Sequence, residues 1–184
     1  MNKDIKERIF LRNKEIERKF LVNVDDIPYN LKDYNYDDIV QGYITSIDKT
    51  FSFRVRQSLK IKDGAKIDEK YTQTIKSKGG MVRDEYEIEL NREQFTTLWK
   101  LCNNISIHKF RYNLEYNEHI IELDIYKNSL DGLYIVEVEF EDLETCNNFK
   151  IPSWFGEEVT EIRDYKNLEL ALKIHKDYEI KKNS

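Results

Sequence analysis

Glu15-Ile16-Glu17-Arg18-Lys19-Phe20 is the stretch of sequence that decides the fold. Successive side chains of a β-strand point to opposite faces of the sheet. Glu15, Glu17 and Lys19 would therefore share one face, and the apolar side chains of the stretch would share the other. A single row of charges is typical of the solvated face of an antiparallel sheet. The later strands change this interpretation, because they repeat the pattern.

The composition indicates one globular domain. The chain has 184 residues, of which 40% are hydrophobic, so we expect a single domain over 1–184 with a polar lead-in at 1–13. No apolar run approaches the ~20 residues that cross a bilayer, and the first residues lack a secretory signal. A cytoplasmic protein with no membrane partner is therefore expected. The two cysteines, Cys102 and Cys146, predict neither a disulfide framework nor a zinc site.

Alternation of apolar and polar residues predicts eight strands. They span approximately residues 14–22, 39–44, 50–57, 66–76, 81–90, 105–114, 119–127 and 133–141. Helical periodicity predicts helices near 91–103, 142–149 and 165–176, the first with Asn91 as its N-cap. The fold class is therefore a β-rich α+β fold with flanking helices.

Charged residues fall on one face of seven of the eight predicted strands, and strand two is the exception. If the sheet curls into a barrel with its apolar face outward under helices, the charges line the interior. An eight-stranded barrel has an interior just wide enough for side chains or one small ligand. Burial of unpaired charges costs several kcal/mol each. The charges must then be paired, hydrated, or neutralised by a bound polyanion and its metal.

The signs of these charges suit a phosphate ligand. Arginine grips phosphate oxygens with two donors, and carboxylates are hard ligands for Mg²⁺ or Mn²⁺. A divalent ion that bridges carboxylates and a phosphate chain would balance both sets. The net charge of −5 argues against broad nucleic-acid binding but does not exclude a phosphate ligand, because local charge decides that.

Seven charged elements in order resemble those of the triphosphate tunnel metalloenzymes, also called the CYTH superfamily, over about residues 14–165. The signature Glu-x-Glu-x-Lys stands at Glu15, Glu17 and Lys19. The later elements are Arg54-x-Arg56, Thr74-x-Lys76, Arg83–Glu89, Lys109-x-Arg111, Glu122-x-Asp124 and Glu137-x-Glu139. The resemblance implies an eight-stranded antiparallel closed β-barrel, a tunnel that holds a triphosphate lengthwise and needs Mg²⁺ or Mn²⁺.

The resemblance also implies a role for each charged residue. The expected metal ligands are Glu15, Glu17, Glu137 and Glu139. The expected phosphate ligands are Lys19, Arg54, Arg56, Lys76, Arg83, Lys109 and Arg111. The expected catalytic residues are Lys19, Lys109, Glu87, Glu122 and Asp124, and Glu85 and Glu89 would support them by orienting basic residues. The general base is not fixed by the sequence.

Two further stretches resemble the small bacterial tripolyphosphatase branch, namely Gln41–Ile44 and Trp154–Thr160. The expected function is therefore metal-dependent hydrolysis of a triphosphate, most specifically inorganic tripolyphosphate. The alternatives are a class IV-type adenylyl cyclase, a thiamine or nucleoside triphosphatase, and a non-catalytic module that binds polyphosphate. The His-Phe-type stretch of the cyclase and thiamine triphosphatase branches is not evident before Arg54. A homodimer is compatible with the sequence, which does not fix the oligomeric state.

Overall fold

The computed structural model describes residues 12–45, 51–77 and 82–182, with side chains for 16–45, 53–75 and 85–181. Most of the predicted lead-in at 1–13 lies outside these residues. Among the described residues, no helix has the length and apolar character that a membrane crossing needs.

Within the described residues, nine strands form one antiparallel sheet. They are β1 (Arg12–Val22), β2 (Tyr36–Thr45), β3 (Phe51–Lys62), β4 (Ala65–Ser77), β5 (Val82–Leu90), β6 (Ser106–Tyr116), β7 (His119–Tyr126), β8 (Tyr134–Phe140) and β9 (Phe155–Glu158). Their order is β5-β4-β3-β2-β6-β7-β8-β1-β9, and β1 makes an additional antiparallel pairing with β5. The predicted β-rich antiparallel fold is thereby confirmed.

The strand β1 pairs along both of its edges. Residues 16–21 pair with β8 on one edge. On the other edge, residues 12–16 pair with β5, and Phe20 and Val22 pair with β9. The strand β1 therefore pairs with three other strands, β5, β8 and β9. It contains the stretch Glu15–Phe20.

The predicted number of eight strands is wrong, because the short strand β9 is an additional member of the sheet. This four-residue strand reads Phe-Gly-Glu-Glu, which lacks the alternation that marks the longer strands. A Cβ on Gly156 would lie 3.0 Å from the carbonyl oxygen of Leu21, so glycine lets the two backbones approach. The guanidinium of Arg18 also donates two hydrogen bonds, of 2.9 and 2.6 Å, to the carboxylate of Glu158. These contacts explain why the short segment pairs.

In the part of the chain that the structure describes, three α-helices accompany the sheet: α1 (Arg92–Trp99), α2 (Leu143–Asn148) and α3 (Asn167–Lys182). Asn91 caps α1 in a reciprocal capping box with Gln94, as predicted. The predicted helix to residue 103 instead ends in a 3₁₀ turn, Lys100–Cys102, and Leu101 is 56% exposed. Further 3₁₀ turns are Val24–Asp26, Leu31–Asp33, Asn128–Leu130 and Arg163–Tyr165.

Helices α1 and α2 cover the apolar face of the sheet. Phe95 of α1 packs with Val55 and Tyr71, and Cys146 of α2 packs in a cluster with Phe20 and Val138. A conventional hydrophobic core therefore lies between the helices and this face. The opposite face, which carries Lys19, Arg54 and Lys109, is called the charged face below.

Helix α3 instead packs against one end of the charged face. Its Leu170 and Ala171 belong to a buried cluster with Tyr43, Ile107, Tyr126 and Ile135. By strand alternation, these four residues share a face with Gln41, Lys109, Asp124 and Glu137 respectively. The rows of charges thus end in apolar residues, and α3 covers that end.

Gly42 permits the close packing of α1 and its 3₁₀ turn on β2. A Cβ at this position would lie 2.7 Å from Cys102 Sγ and 3.0 Å from the ring of Trp99. We expect Gly42→Ala to lower the free energy of unfolding by about 1–3 kcal/mol through overpacking. Chemical denaturation measures this, with the exposed Thr45→Ala as control. Equal or higher stability of Gly42→Ala would contradict the packing argument, since alanine without a clash stabilises.

Candidate active site

The antiparallel register places the charged residues in rows across the strands. Lys19 lies opposite Glu137, which in turn lies opposite Glu122. Arg111 lies opposite Asp124. On the other side of the site, Arg54 lies opposite Thr74, and Arg56 lies between Gln41 and Thr72. Directly opposed residues have Cβ atoms about 4.5–5.5 Å apart, so the sheet brings these side chains together.

A fully buried ion pair lies at the centre of the charged face. Lys109 and Asp124 are both 0% exposed, and the lysine Nζ donates to Asp124 Oδ2. Arg111 donates to both carboxylate oxygens of Asp124, each at 2.6 Å. Burial and the charge of Arg111 lower the pKa of Lys109 to about 8, although Asp124 opposes this shift. The ammonium of Lys109 therefore loses its proton more readily than that of an exposed lysine.

Glu137 joins this pair to β1. Its Oε1 lies 2.5 Å from Lys19 Nζ, and its Oε2 accepts a 2.5 Å hydrogen bond from Arg111 Nη2. Burial alone would raise the pKa of Glu137, but Lys19, Arg111 and Lys109 outweigh it and hold that pKa well below its ordinary value. Arg111 also pairs with Glu122. Although burial opposes its charge, the surrounding carboxylates raise the pKa of Arg111 well above its ordinary value.

A second group of polar residues lies on β3, β4 and β5. Arg54 Nη2 donates to Thr74 Oγ1 at 2.7 Å and lies 3.4 Å from Glu87 and 3.6 Å from Glu85. Thr74 in turn donates to Glu87 at 2.9 Å. Arg54 Nε and Thr72 Oγ1 are buried and have no hydrogen-bond partner in the described part of the chain. Buried polar groups are usually satisfied, so these two atoms are candidates for hydrogen bonds to a ligand.

Gln41 and Tyr43 belong to the same face and were not predicted as site residues. Arg56 Nε donates to Gln41 Oε1 at 3.1 Å, and Gln41 Nε2 donates to the Tyr43 hydroxyl at 2.6 Å. Burial and the charges of Arg54 and Arg111 lower the pKa of Arg56 to about 10. Tyr126 was also missed. Its hydroxyl donates to Asn167 Oδ1 at the start of α3, and Lys109 Nζ lies 5.8 Å from the centroid of its ring. Alternation along β2 and β7 would have placed all three on this face.

The remaining predicted residues lie toward the margins of the charged face. Glu139 is exposed, as are Glu87 and Glu89, whereas Glu17 is 8% exposed. The side chains of Glu15, Lys76 and Arg83 lie outside the described residues. Their backbones place Glu15 opposite Arg83 and Lys76 opposite Glu85. The proposed roles of all these residues stay predictions.

The carboxylates near β1 have the chemistry that a hard divalent cation requires. Glu17 and Glu139 lie directly opposite each other on β1 and β8, an unfavourable like-charge pair that a cation would relieve. Among the described side chains, no three or more His, Cys, Asp or Glu residues group as a metal site. Mg²⁺ nevertheless often uses only one or two carboxylates together with substrate phosphates. The opposed pair Glu17 and Glu139 therefore fits such an ion by position and by chemistry.

Comparison with known proteins agrees with this arrangement. The CYTH domain family matches residues 13–178. The chain belongs to the CYTH domain family. An inorganic triphosphatase of Nitrosomonas europaea is 37% identical over 161 residues, which cover 87% of this chain and 98% of that protein. An inorganic triphosphatase of Acetivibrio thermocellus is 35% identical over 166 residues, 90% of this chain and 97% of that protein.

Solved structures show the same fold. The crystal structure of an inorganic triphosphatase superposes with a TM-score of 0.59 at 36% identity and covers 86% of this chain and 94% of its own. A Hippeastrum protein described as an adenylyl cyclase with a dominant triphosphatase activity gives a TM-score of 0.53 at 14% identity, over 72% of this chain and 82% of its own. The second likeness supports the CYTH fold alone.

The buried pair of Lys109 and Asp124 should dominate the stability of the site. Asp124→Asn would leave Lys109 buried without its carboxylate, which we expect to cost about 3–5 kcal/mol of unfolding free energy. The control is Glu169→Gln, which breaks the more exposed pair with Arg163 and should cost no more than about 1 kcal/mol. Chemical denaturation of both variants tests this. Similar losses in the two variants would contradict the account of the central pair.

Proposed function

We propose that this protein is a divalent-metal-dependent hydrolase of triphosphates, with inorganic tripolyphosphate as its substrate. The observation that carries the proposal is the convergence of Lys19, Arg54, Arg56, Lys109 and Arg111 on one face of the sheet beside carboxylates. Two curated relatives that match nearly their full length are named inorganic triphosphatases. A linear polyanion with three phosphates suits a row of cations that spans several strands.

The proposal includes a closed tunnel. Strands β1 to β8 each pair with a neighbour on either side once the five-residue register between β1 and β5 is counted. This register supports closure of the eight strands into a barrel, with β9 as an additional strand beside β1. The charged face would then be the inner wall, which accounts for the full burial of Lys109 and Asp124. Helix α3 would cover one end, so the substrate would enter from the other.

The substrate phosphates would lie along the cations of the inner wall. Arg54 Nε and the Thr72 hydroxyl, both buried without a partner in the described residues, would donate to phosphate oxygens. Lys76 and Arg83 are proposed as further phosphate ligands on the sequence pattern. Because Lys19, Arg54, Lys109 and Arg111 are held by ion pairs, they are already oriented when the substrate binds, which favours binding and transition-state stabilisation.

Catalysis would rest mainly on charge stabilisation. Phosphoryl transfer spreads negative charge over the transferring group, and Lys19, Lys109 and Arg111 would stabilise it. Lys109 is fully buried beside Asp124, so it would stabilise this charge from within the wall. Asp124 holds Lys109 in place. Glu87 or Glu122 would orient the attacking water, supported by Glu85 and Glu89.

Glu15, Glu17, Glu137 and Glu139 are the proposed ligands of Mg²⁺ or Mn²⁺. When bound, the ion would neutralise phosphate charge and polarise the phosphoanhydride. Glu17 and Glu139 are the members whose opposed positions fit the ion best. A cytoplasmic location and a homodimer stay predictions.

The proposed function is tested by phosphate release from tripolyphosphate, with Mg²⁺, Mn²⁺ or a chelator. We expect release with metal and none with the chelator. ATP is assayed in parallel for phosphate and for cyclic AMP. Formation of cyclic AMP would favour a cyclase instead, and tight binding of tripolyphosphate without release would favour a non-catalytic module.

Removal of one proposed metal ligand should weaken turnover without unfolding the protein. We expect Glu17→Gln to lower kcat/KM for tripolyphosphate by at least about tenfold and to raise the metal concentration needed for half-maximal rate. The control, Glu161→Gln, changes an exposed glutamate in a loop and should behave as wild type. Wild-type metal dependence of Glu17→Gln would remove Glu17 from the metal site.

A further inference from the structure

Arg56 differs from the other described cations of the charged face in the charge of its partner. Lys19 pairs with Glu137, Lys109 pairs with Asp124, and Arg54 lies near Glu85 and Glu87. Arg111 pairs with three carboxylates. The hydrogen-bond partner of Arg56 is the neutral side chain of Gln41, and no carboxylate within the described side chains forms an ion pair with it.

Gln41 is held so that only its oxygen can face Arg56. The side chain is 0% exposed, and its Nε2 donates to the Tyr43 hydroxyl at 2.6 Å. The opposite orientation would set the amide NH₂ against the guanidinium, donor against donor. The Tyr43 ring is itself fixed in the apolar cluster with Leu170 and Ala171. The orientation of Arg56 is thus tied, through Gln41 and Tyr43, to the packing of α3.

A carbonyl oxygen orients a guanidinium without cancelling its charge. Burial, together with the nearby charges of Arg54 and Arg111, disfavours the positive charge of Arg56, and its pKa falls to about 10. Glu122 opposes this only weakly. Arg56 remains partly exposed, whereas Gln41 is fully buried, so Arg56 is the more accessible of the two side chains.

We propose that Gln41 is a positioning residue that holds Arg56 oriented and electrically uncompensated, so that Arg56 binds a phosphate group of the substrate. The inference rests on the proposed function. The inference predicts that a carboxylate at position 41 would form an ion pair with Arg56 and so compete with the substrate phosphate. The neutrality of this one side chain would then set the affinity of the site for tripolyphosphate.

The test is Gln41→Glu, which keeps the size and the acceptor of the side chain but adds a negative charge. We expect the KM for tripolyphosphate to rise about tenfold, with kcat changed less than about twofold, because a charged hydrogen bond to the substrate is weakened. Calorimetric affinity for tripolyphosphate should fall by the same factor. The control, Gln73→Glu, adds the same charge on the apolar face of β4, opposite Val55 and Ile88, and should leave KM unchanged.

A double-mutant cycle separates positioning from a merely structural role. In an Arg56→Ala background, Gln41→Glu should raise KM by less than about twofold, because the charge that it neutralises is gone. Equal effects with and without Arg56 would overturn the inference, as would a wild-type KM in Gln41→Glu. If Gln41→Glu does not fold, Gln41→Met keeps the volume and removes the acceptor. We expect Gln41→Met to raise KM about threefold in the wild-type protein and to leave KM unchanged in the Arg56→Ala background. This pair of results would support the inference.

Failure of the inference differs visibly from failure of the proposed function. A wild-type protein that releases phosphate, together with a Gln41→Glu variant of unchanged KM and affinity, overturns only the role of Gln41. A wild-type protein that neither binds nor hydrolyses tripolyphosphate overturns the proposed function and the inference with it.

Discussion

The burial of Lys109 and Asp124 in direct contact is the constraint on which the rest of the structure depends. Removing two charges from water costs several kcal/mol each, and their attraction compensates only if the geometry is good and the remaining donors are satisfied. Arg111 and Glu137 supply that satisfaction, and Lys19 satisfies Glu137 in turn. The network thus extends over β6, β7, β8 and β1, and it requires these strands to pair in one register.

The same constraint explains why the layers are arranged as they are. With charges buried on one face, the apolar side chains must be covered on the other, and α1 and α2 do this. A slip of one residue in any strand would exchange the two faces and leave charges under the helices. The bidentate pair of Arg18 with Glu158, and the hydrogen bond from the Lys19 amide to Thr160, help fix β1 at its far end.

Much of this was predictable from alternation alone. The assignment of charged and apolar residues to faces holds for Arg54, Lys109 and Glu137, because strand geometry is local. Alternation does not reveal which strands are neighbours, so the opposition of Glu17 to Glu139 appears only with the register. The strand β9 was missed because a strand of four residues is too short to show the alternation of apolar and polar side chains. Gln41 and Tyr43 were missed because a search for charges passes over neutral residues, although their importance comes from the charge beside them. The packing of α3, through Leu170 and Ala171, against one end of the charged face depends on tertiary contacts that helical periodicity does not encode.

The most direct measurement of the central claim is a crystal structure with Mn²⁺ and a non-hydrolysable tripolyphosphate analogue, with anomalous scattering to locate the metal. The account predicts the phosphate chain on the charged face, within hydrogen-bond distance of Arg54 and Arg56, and an anomalous peak between Glu17 and Glu139. An analogue bound only on the apolar face or the protein surface, with the network of Lys109 and Asp124 sealed from it, would contradict the account.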